Sequence, residues 1–229
     1  MRSVSFVFLD AGGTLVDVEY RYLREVLVGP GADGQPPDEA FERGEREARA
    51  WFLGRMREGG APLDAWKGYF ERVYRGAGVS ENRLPDLLDR LWERNLRDGL
   101  WHRPVSGAAE TLERLERAGF RLAVISNAEG RVADDLAQAG LARWFETIVD
   151  SHEVGVAKPD PRIFEIALGR MGARPEEAVY VGDIHAFDVV GARAAGLQAI
   201  LIDRWGLQED SDSLRVGRIE DVTAILDRL

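Results

Sequence analysis

The sequence predicts an α/β fold: a parallel β-sheet with helices on both faces, interrupted by an inserted all-helical domain. Two observations lead to this prediction. In the second half of the chain, short β-branched apolar runs alternate with helical periodicity, as in βαβ units. A similar apolar run, Val4 to Leu9, stands near the start, and a long stretch of helical pattern separates it from the others.

The predicted strands are short, rich in β-branched residues and bounded by turn residues. They are residues 4–9, 121–126, 146–150, 178–183 and 198–203. Helical spacing predicts helices in the same part of the chain, at residues 107–118, 130–139, 160–171, 187–195 and 219–228. Strands that alternate with helices form parallel units, so both faces of the sheet are expected to be buried.

The inserted stretch has apolar residues three and four apart, in segments separated by Gly and Pro. These segments are residues 20–29, 38–59, 62–78 and 84–99. The chain is therefore divided into a core of residues 1–16 and 101–229 and an inserted domain of residues 17–100. Within the insert, the Gly- and Pro-rich residues 29–39 are predicted to form a mobile loop.

Composition and charge narrow the range of functions. The 229 residues carry a formal net charge of -10 and contain no cysteine. The acidic balance argues against nucleic acid and anionic membranes as partners, and the lack of cysteine excludes disulfides, thiolate metal sites and cysteine nucleophiles. Because no apolar run reaches the length of a membrane span or a signal segment, a cytoplasmic protein is expected. The oligomeric state is left open.

Chemically active residues stand where predicted strands end, and open parallel sheets bind ligands at the carboxyl ends of their strands. Asp10, Ser126 and Asp183 each occupy such a position. Lys158 comes directly before Pro159, whose fixed φ suits the first position of a helix. Two carboxylates, a hydroxyl and an ammonium are therefore expected to converge on one edge of the sheet.

These residues resemble, in order, the four motifs of the haloacid dehalogenase-like hydrolase superfamily. Residues 10–14, DAGGT, resemble its D-x-D-x-T motif, and Ser126 in VISNAEG resembles the Ser or Thr that ends a hydrophobic strand. Lys158 in VAKPDPRIF resembles the lysine before a helix, and GDIHAFD, with Asp183 and Asp188, resembles G-D-x-x-x-x-D. The resemblance covers nearly the whole chain. It implies a Rossmann-like core with a helical cap of the first subclass.

The resemblance also implies a reaction, the magnesium-dependent hydrolysis of a small phosphorylated metabolite. In this family the first aspartate, here Asp10, is the nucleophile and becomes an aspartyl phosphate. Mg²⁺ is implied to bind Asp10, the main-chain carbonyl of Gly12 and Asp183, since hard oxygen ligands suit this ion. Asp188 is implied not to bind the ion directly but to orient metal-bound water or Lys158.

The same resemblance implies a set of groups that bind the phosphoryl oxygens. They are Thr14, Ser126, Asn127 and Lys158, with backbone N–H groups nearby. Lys158 is also implied to neutralise charge on the nucleophile and in the transition state, and Ser126 is counted with the catalytic residues.

Gly12 departs from the family pattern, in which an aspartate at this position protonates the leaving group and then activates water. A glycine keeps the carbonyl but loses this acid–base group, which typically contributes about 10²- to 10⁴-fold to the rate. Slow turnover is therefore expected, least so for aryl or acyl phosphates, whose leaving groups have low pKa values. His185, Glu129 and His102 are the candidates to replace the missing group.

Other functions are weighed against this one. Gly12 keeps open a catalytically weak or silent protein that binds a phosphorylated ligand or a protein partner. A 2-haloacid dehalogenase is less favoured, because the family's dehalogenases usually carry an aromatic residue in place of Gly12 and lack the aspartate that matches Asp183. Phosphonate cleavage is also disfavoured, because it needs a cap lysine and Lys67 lies well inside a helical segment.

Overall fold

The structure, a computed structural model, describes residues 4–28, 35–58, 62–208 and 213–228. The chain divides into two compact units: Met1–Val18 with Trp101–Leu229, called here the sheet unit, and Glu19–Leu100, called the helical unit. The sequence-predicted domains meet after residues 16 and 100, and the two compact units meet after residues 18 and 100. Residues 29–34 of the predicted mobile loop lie outside the described residues.

The helical unit is built from helices with one buried apolar stripe. They are α1 Tyr20–Val28, α2 Asp38–Arg57, α3 Pro62–Gly76 and α4 Leu84–Asp98, with a 3₁₀ turn at Glu81–Arg83. Along α4 the buried leucines follow helical spacing, at Leu84, Leu87, Leu88 and Leu91. That this unit is a catalytic cap stays a prediction.

In the sheet unit, the described residues form a six-stranded parallel sheet and a short antiparallel pair. The strands are β1 Phe6–Leu9, β2 Val16–Asp17, β3 Arg103–Pro104, β4 Arg121–Ser126, β5 Phe145–Asp150, β6 Ala178–Gly182, β7 Gln198–Ile202 and β8 Leu214–Val216. The order across the large sheet is β5-β4-β1-β6-β7-β8, with every neighbouring pair parallel, while β2 pairs with β3. The predicted fold class is confirmed.

The central strands are apolar throughout because both faces of the sheet are covered. In β1, Val7 and Leu9 pack into one hydrophobic layer, and Phe6 and Phe8 pack into the other. Successive side chains of a strand point to opposite faces, so an uninterrupted apolar run is typical of a strand buried on both sides.

Helices and short turns connect the strands. The helices are α5 Ala108–Arg117, α6 Val132–Gln138, α7 Ser151–Val154, α8 Pro161–Met171, α9 Val190–Ala194 and α10 Val222–Leu226. Apolar residues of α5, α6 and α10 belong to the layer that contains Val7, and those of α8 and α9 belong to the layer that contains Phe8. There are 3₁₀ turns at Ala142–Trp144, Pro175–Glu177 and Ile219–Asp221 and a π-helical turn at His185–Val189. None of the described helices is long and apolar enough to span a membrane.

The order of the strands locates a ligand site. Counted along the chain, the six parallel strands lie in the order 3-2-1-4-5-6, and the order reverses between β1 and β6. Doubly wound sheets bind ligands outside the carboxyl ends of the strands at such a point. Asp10 directly follows β1 and Asp183 directly follows β6, so both stand at this crevice.

Candidate active site

Lys158 connects three other buried side chains. Its Nζ donates hydrogen bonds to Asp10 Oδ1 at 2.7 Å, to Asp188 Oδ1 at 2.7 Å and to the Tyr180 hydroxyl at 2.8 Å. Lys158 is 4% exposed and Asp10 6% exposed. An ammonium group has three donors, and here each donor has an acceptor. The positive charge is therefore fixed beside Asp10.

Burial and charge shape the ionisation of this group. Burial raises the pKa of Asp10 from 3.8 to about 6, against the opposing charge of Lys158. Burial lowers the pKa of Lys158, but Asp10 and Asp188 outweigh it and leave that pKa above 10.5. Burial, together with the charges of Asp188 and Asp10, raises the pKa of Tyr180 well above 10. At neutral pH, Lys158 is therefore charged and Tyr180 keeps its proton.

Asp188 accepts hydrogen bonds from backbone N–H groups as well as from Lys158. It lies in the π-helical turn His185–Val189, and its Oδ2 accepts hydrogen bonds from the N–H of Asp183 at 3.0 Å and of Ile184 at 2.8 Å. Its Oδ1 accepts the bond from Lys158. Both oxygens are thus used inside the protein, so Asp188 fixes the loop after β6 relative to Lys158.

Gly182 makes room for that carboxylate. A Cβ at this position would overlap the carboxylate carbon of Asp188 and lie 2.6 Å from its Cβ. A side chain on residue 182 would push Asp188 away from the loop. The glycine that opens GDIHAFD is therefore required by close packing.

Asn127 holds the main chain of Lys158. The Lys158 N–H donates to Asn127 Oδ1 at 2.7 Å, and Asn127 Nδ2 donates to the Lys158 carbonyl at 3.0 Å. The peptide bond that follows, Lys158–Pro159, is cis. Ser126, the last residue of β4, is 5% exposed and directly precedes Asn127 in the sequence. The predicted contacts of Asn127 and Ser126 with phosphate stay predictions.

The loop after β1 turns tightly through two glycines. The N–H groups of Leu15 and Val16 donate to the Ala11 carbonyl at 2.8 and 3.0 Å, and Gly13 has a φ of 77°. Glycine is favoured at residue 13 because it adopts this positive φ without strain. Residue 12 has room for a Cβ, which would make an ordinary contact with the Trp101 ring, 3.5 Å from Cε3. Contacts of a Cβ therefore do not require a glycine at residue 12.

Thr14 lies deeper than its predicted role suggests. It is fully buried, and its Oγ1 has no hydrogen-bond partner among the described residues. A phosphoryl oxygen could reach this hydroxyl only if neighbouring atoms moved. Its contact with phosphate therefore stays a prediction.

Three buried carboxylates form a group that could hold a metal ion. Asp10, Asp183 and Asp188 each offer one oxygen within 4.8 Å of the others. Within this group the carboxylates outnumber the one ammonium of Lys158, so a divalent cation would offset the excess negative charge. The donors are hard oxygens, which suit Mg²⁺. Asp188 uses both of its oxygens within the protein. That Asp10 and Asp183 are the metal ligands stays a prediction.

The candidates for the missing acid–base group differ in their surroundings. His102 is buried, and its Nε2 lies 2.9 Å from Asp135 Oδ1. This pairing ties His102 to helix α6. The main chain of His185 is held in the loop after β6 by Gln208, whose Oε1 accepts its N–H at 2.8 Å. That either of these, or Glu129, replaces the acid–base group stays a prediction.

Sequence reasoning missed Tyr180 and Gln208. Tyr180 lies inside the apolar run of β6, but a buried tyrosine needs a partner for its hydroxyl, and that signal was available. Its hydroxyl lies 3.0 Å from the Ile125 carbonyl as well as contacting Lys158. Gln208 follows β7 in a segment with no recognisable motif, so only the structure places it beside Asp183.

A family model described as haloacid dehalogenase-like hydrolase matches residues 4–196. The chain belongs to this family. The match spans both the first motif, with Asp10, and the last, with Asp183 and Asp188.

Named relatives of this haloacid dehalogenase-like hydrolase include phosphatases. It is 39% identical over 165 residues to a phosphoserine phosphatase of Thermus thermophilus, covering 70% of this chain and 66% of the relative. It is 40% identical over 126 residues to a glyceraldehyde 3-phosphate phosphatase of Methanothermobacter thermautotrophicus, covering 55% of each chain. The chain thus spans between about half and two thirds of the length of these relatives.

Among solved structures, the hydrolase resembles YfnB of Bacillus subtilis. The TM-score is 0.72 at 18% identity, and the alignment covers 98% of this chain and 99% of the other. This likeness shows that the two chains share a fold.

Proposed function

We propose that this hydrolase is a magnesium-dependent phosphatase that acts on a small phosphorylated metabolite through an aspartyl phosphate on Asp10. The observation that carries the proposal is the contact between Lys158 Nζ and Asp10 Oδ1 at 2.7 Å, beside Asp183. A buried carboxylate held next to a fixed positive charge is suited to attack an anionic phosphoryl group. The phosphatase relatives support the same reaction class.

Asp10 would do the covalent chemistry. An oxygen of its carboxylate forms a bond to phosphorus, and the bond from phosphorus to the substrate oxygen breaks, with its electron pair leaving on that oxygen. Water then attacks the aspartyl phosphate, which releases inorganic phosphate and restores the carboxylate of Asp10. Lys158, whose ammonium is already oriented, stabilises the negative charge on the oxygens in both steps.

The metal would be held by Asp10, Asp183 and the carbonyl of Gly12. When bound, Mg²⁺ supplies positive charge that lets the anionic nucleophile approach an anionic substrate. Asp188 would keep the backbone of Asp183 in place through its N–H, as its 3.0 Å hydrogen bond supports.

Gly12 shapes the expected substrate. It offers no proton to the leaving oxygen, so substrates whose leaving groups have low pKa values should react fastest. Acyl and aryl phosphates meet this condition, and alkyl phosphates do not. The proposal is therefore a phosphatase that is slow on alkyl esters.

A phosphate-release assay tests the proposal. Native protein, Asp10→Asn and Gly12→Asp are compared on p-nitrophenyl phosphate and acetyl phosphate, with Mg²⁺ and with EDTA. Native activity should require Mg²⁺, vanish in Asp10→Asn and rise in Gly12→Asp. If native protein and Gly12→Asp are both inert on both substrates, the proposal of a general phosphatase is wrong.

Gly12 also favours a second candidate, a protein that binds phosphorylated ligands with little turnover. Such a protein would bind Mg²⁺ and phosphate but release no product, and the same assay combined with a binding measurement separates the two. A 2-haloacid dehalogenase is disfavoured because Asp183 adds a third buried carboxylate beside Asp10 and Asp188.

A further inference from the structure

Gln208 reaches from the segment after β7 into the loop that carries Asp183. Its Nε2 donates a hydrogen bond to the Asp183 carbonyl at 2.9 Å, and its Oε1 accepts one from the His185 N–H at 2.8 Å. Gln208 is 5% exposed. One buried side-chain amide thus donates one hydrogen bond and accepts one, to backbone groups on either side of Ile184.

The peptide unit between Asp183 and Ile184 is held from both ends. Its carbonyl accepts from Gln208, and its N–H donates to Asp188 Oδ2 at 2.8 Å. The N–H of Asp183 also donates to Asp188 Oδ2, at 3.0 Å. Rotation about the backbone at Asp183 would break at least one of these bonds, so the direction of its Cα–Cβ bond is fixed.

Gln208 is itself held in place by a carboxylate at the end of β7. Asp203 Oδ1 accepts from the N–H of Leu207 at 3.0 Å, and its Oδ2 accepts from the N–H of Gln208 at 3.2 Å. Arg215 Nη1 donates to the same Oδ2 at 3.2 Å. The strand next to β6 therefore supports the loop of Asp183 through a chain of charged and polar groups.

We propose that Gln208 is a positioning residue for the metal site: it sets the affinity for Mg²⁺ by fixing the backbone of Asp183. This inference rests on the proposed role of Asp183 as a metal ligand. Gln208 need not touch the metal or the substrate. Partners of this kind that orient ligands typically change metal affinity or activity by about 10- to 100-fold when mutated.

Two substitutions separate the donor from the acceptor of Gln208. Gln208→Met has a similar length and loses both hydrogen bonds. Gln208→Glu keeps an oxygen for the His185 N–H but places a carboxylate against the Asp183 carbonyl. Because the contact to Asp183 is lost in both, both variants should bind Mg²⁺ more weakly. Gln138→Met is the matched control, since Gln138 is exposed at the end of α6.

The measurement is the Kd for Mg²⁺ in calorimetric titrations of the 229-residue chain without substrate. The thermal midpoint of each variant is recorded in EDTA to detect loss of stability. We expect the Kd to rise by about 10- to 100-fold in Gln208→Met and Gln208→Glu and to stay at the native value in Gln138→Met. If Gln208→Met does not fold, Gln208→Glu decides.

The proposal is overturned if the Gln208 variants bind Mg²⁺ as tightly as the native protein, or if the native protein binds none. It is also overturned if Gln138→Met weakens binding equally, because the effect would then not depend on the Asp183 loop. A native protein that binds Mg²⁺ but releases no phosphate would contradict the phosphatase proposal alone. The comparison of Kd values would still test Gln208.

Discussion

The Lys158 ammonium lies 2.7 Å from the Asp10 carboxylate, and the two residues are 148 positions apart in the sequence. β1 delivers Asp10, and the loop before α8 delivers Lys158. Asn127 clamps the backbone of Lys158, while Asp188 and Tyr180 accept its remaining N–H bonds. The charge pair is therefore fixed by the fold, and mutation of either partner should affect the reaction directly.

Replacing Lys158 with methionine should abolish most activity. The charge that stabilises the phosphoryl transition state would be lost, and no ammonium would stand between Asp10 and Asp188. Loss of one such stabilising group typically costs about 10²- to 10³-fold in kcat. Lys67→Met is the control, because Lys67 is an exposed lysine paired with Asp89. A Lys158→Met enzyme with native kcat would contradict the role given to this lysine.

Replacing Tyr180 with phenylalanine should lower both stability and activity. The Lys158 ammonium and the Ile125 carbonyl would each lose a buried partner, which costs about 1 to 3 kcal/mol of the free energy of unfolding. With one anchor of Lys158 gone, kcat should fall by about tenfold. Urea unfolding and phosphate release measure the two effects.

Tyr74→Phe provides the comparison for Tyr180. Tyr74 is also buried, and its hydroxyl donates to a backbone carbonyl, that of Leu23, at 3.2 Å. Its loss should lower stability without changing kcat. If Tyr180→Phe and Tyr74→Phe affect kcat equally, then Tyr180 acts only through stability.

Gly182→Ala should weaken the binding of Mg²⁺. The new methyl group would overlap the Asp188 carboxylate and displace the hydrogen bonds that hold Asp183 and Ile184. Gly169→Ala in α8 is the matched control, since a Cβ there meets no atom within 4 Å. In a helix this control should be neutral or slightly stabilising. Equal Mg²⁺ affinity in the two variants would refute the packing argument.

Asp160 should give a stability that depends on pH. Its carboxylate accepts hydrogen bonds from the Arg162 side chain and, as the N-cap of α8, from the Arg162 N–H, and these lower its pKa from 3.8 to about 2. A carboxyl group whose pKa is lower in the folded state stabilises that state at pH values above its pKa in the unfolded chain. This contribution disappears as the pH falls through the pKa of the folded state. Asp160→Ala should therefore have a lower thermal midpoint than the native protein at pH 7. The gap should close between about pH 4 and pH 2, and a constant gap would contradict the assignment.

Much of the fold was predictable because strong local patterns set it. The apolar run that contains β1 and the run 121–126 predict strands, and ligand sites of parallel sheets lie at the carboxyl ends of strands, which predicts Asp10 and Asp183 at one edge. Other elements were missed. β8, Leu214–Val216, has three residues and no buried apolar pattern, so only its pairing with β7 makes it a strand.

Part of the candidate site could not be predicted from the sequence because it depends on which side chains contact each other in the folded chain. A tyrosine in an apolar strand needs a partner for its hydroxyl, but the sequence does not indicate that the partner of Tyr180 is Lys158. Gln208 donates its backbone N–H to Asp203 and its side-chain N–H to the Asp183 carbonyl. Neither Gln208 nor Asp203 belongs to a motif. Gly182 is required because the Asp188 carboxylate packs against it, and the sequence does not indicate this contact.

The most direct test of the account is to trap the phosphoryl group on Asp10. The native protein is mixed with labelled acetyl phosphate and Mg²⁺, quenched in acid, digested and analysed for the phosphorylated peptide. We predict a phosphoryl group on Asp10 that accumulates, because Gly12 offers no base to activate water, and that turns over faster in Gly12→Asp. Phosphate release without any label on Asp10 in either protein, or the same label in Asp10→Asn, would contradict the account.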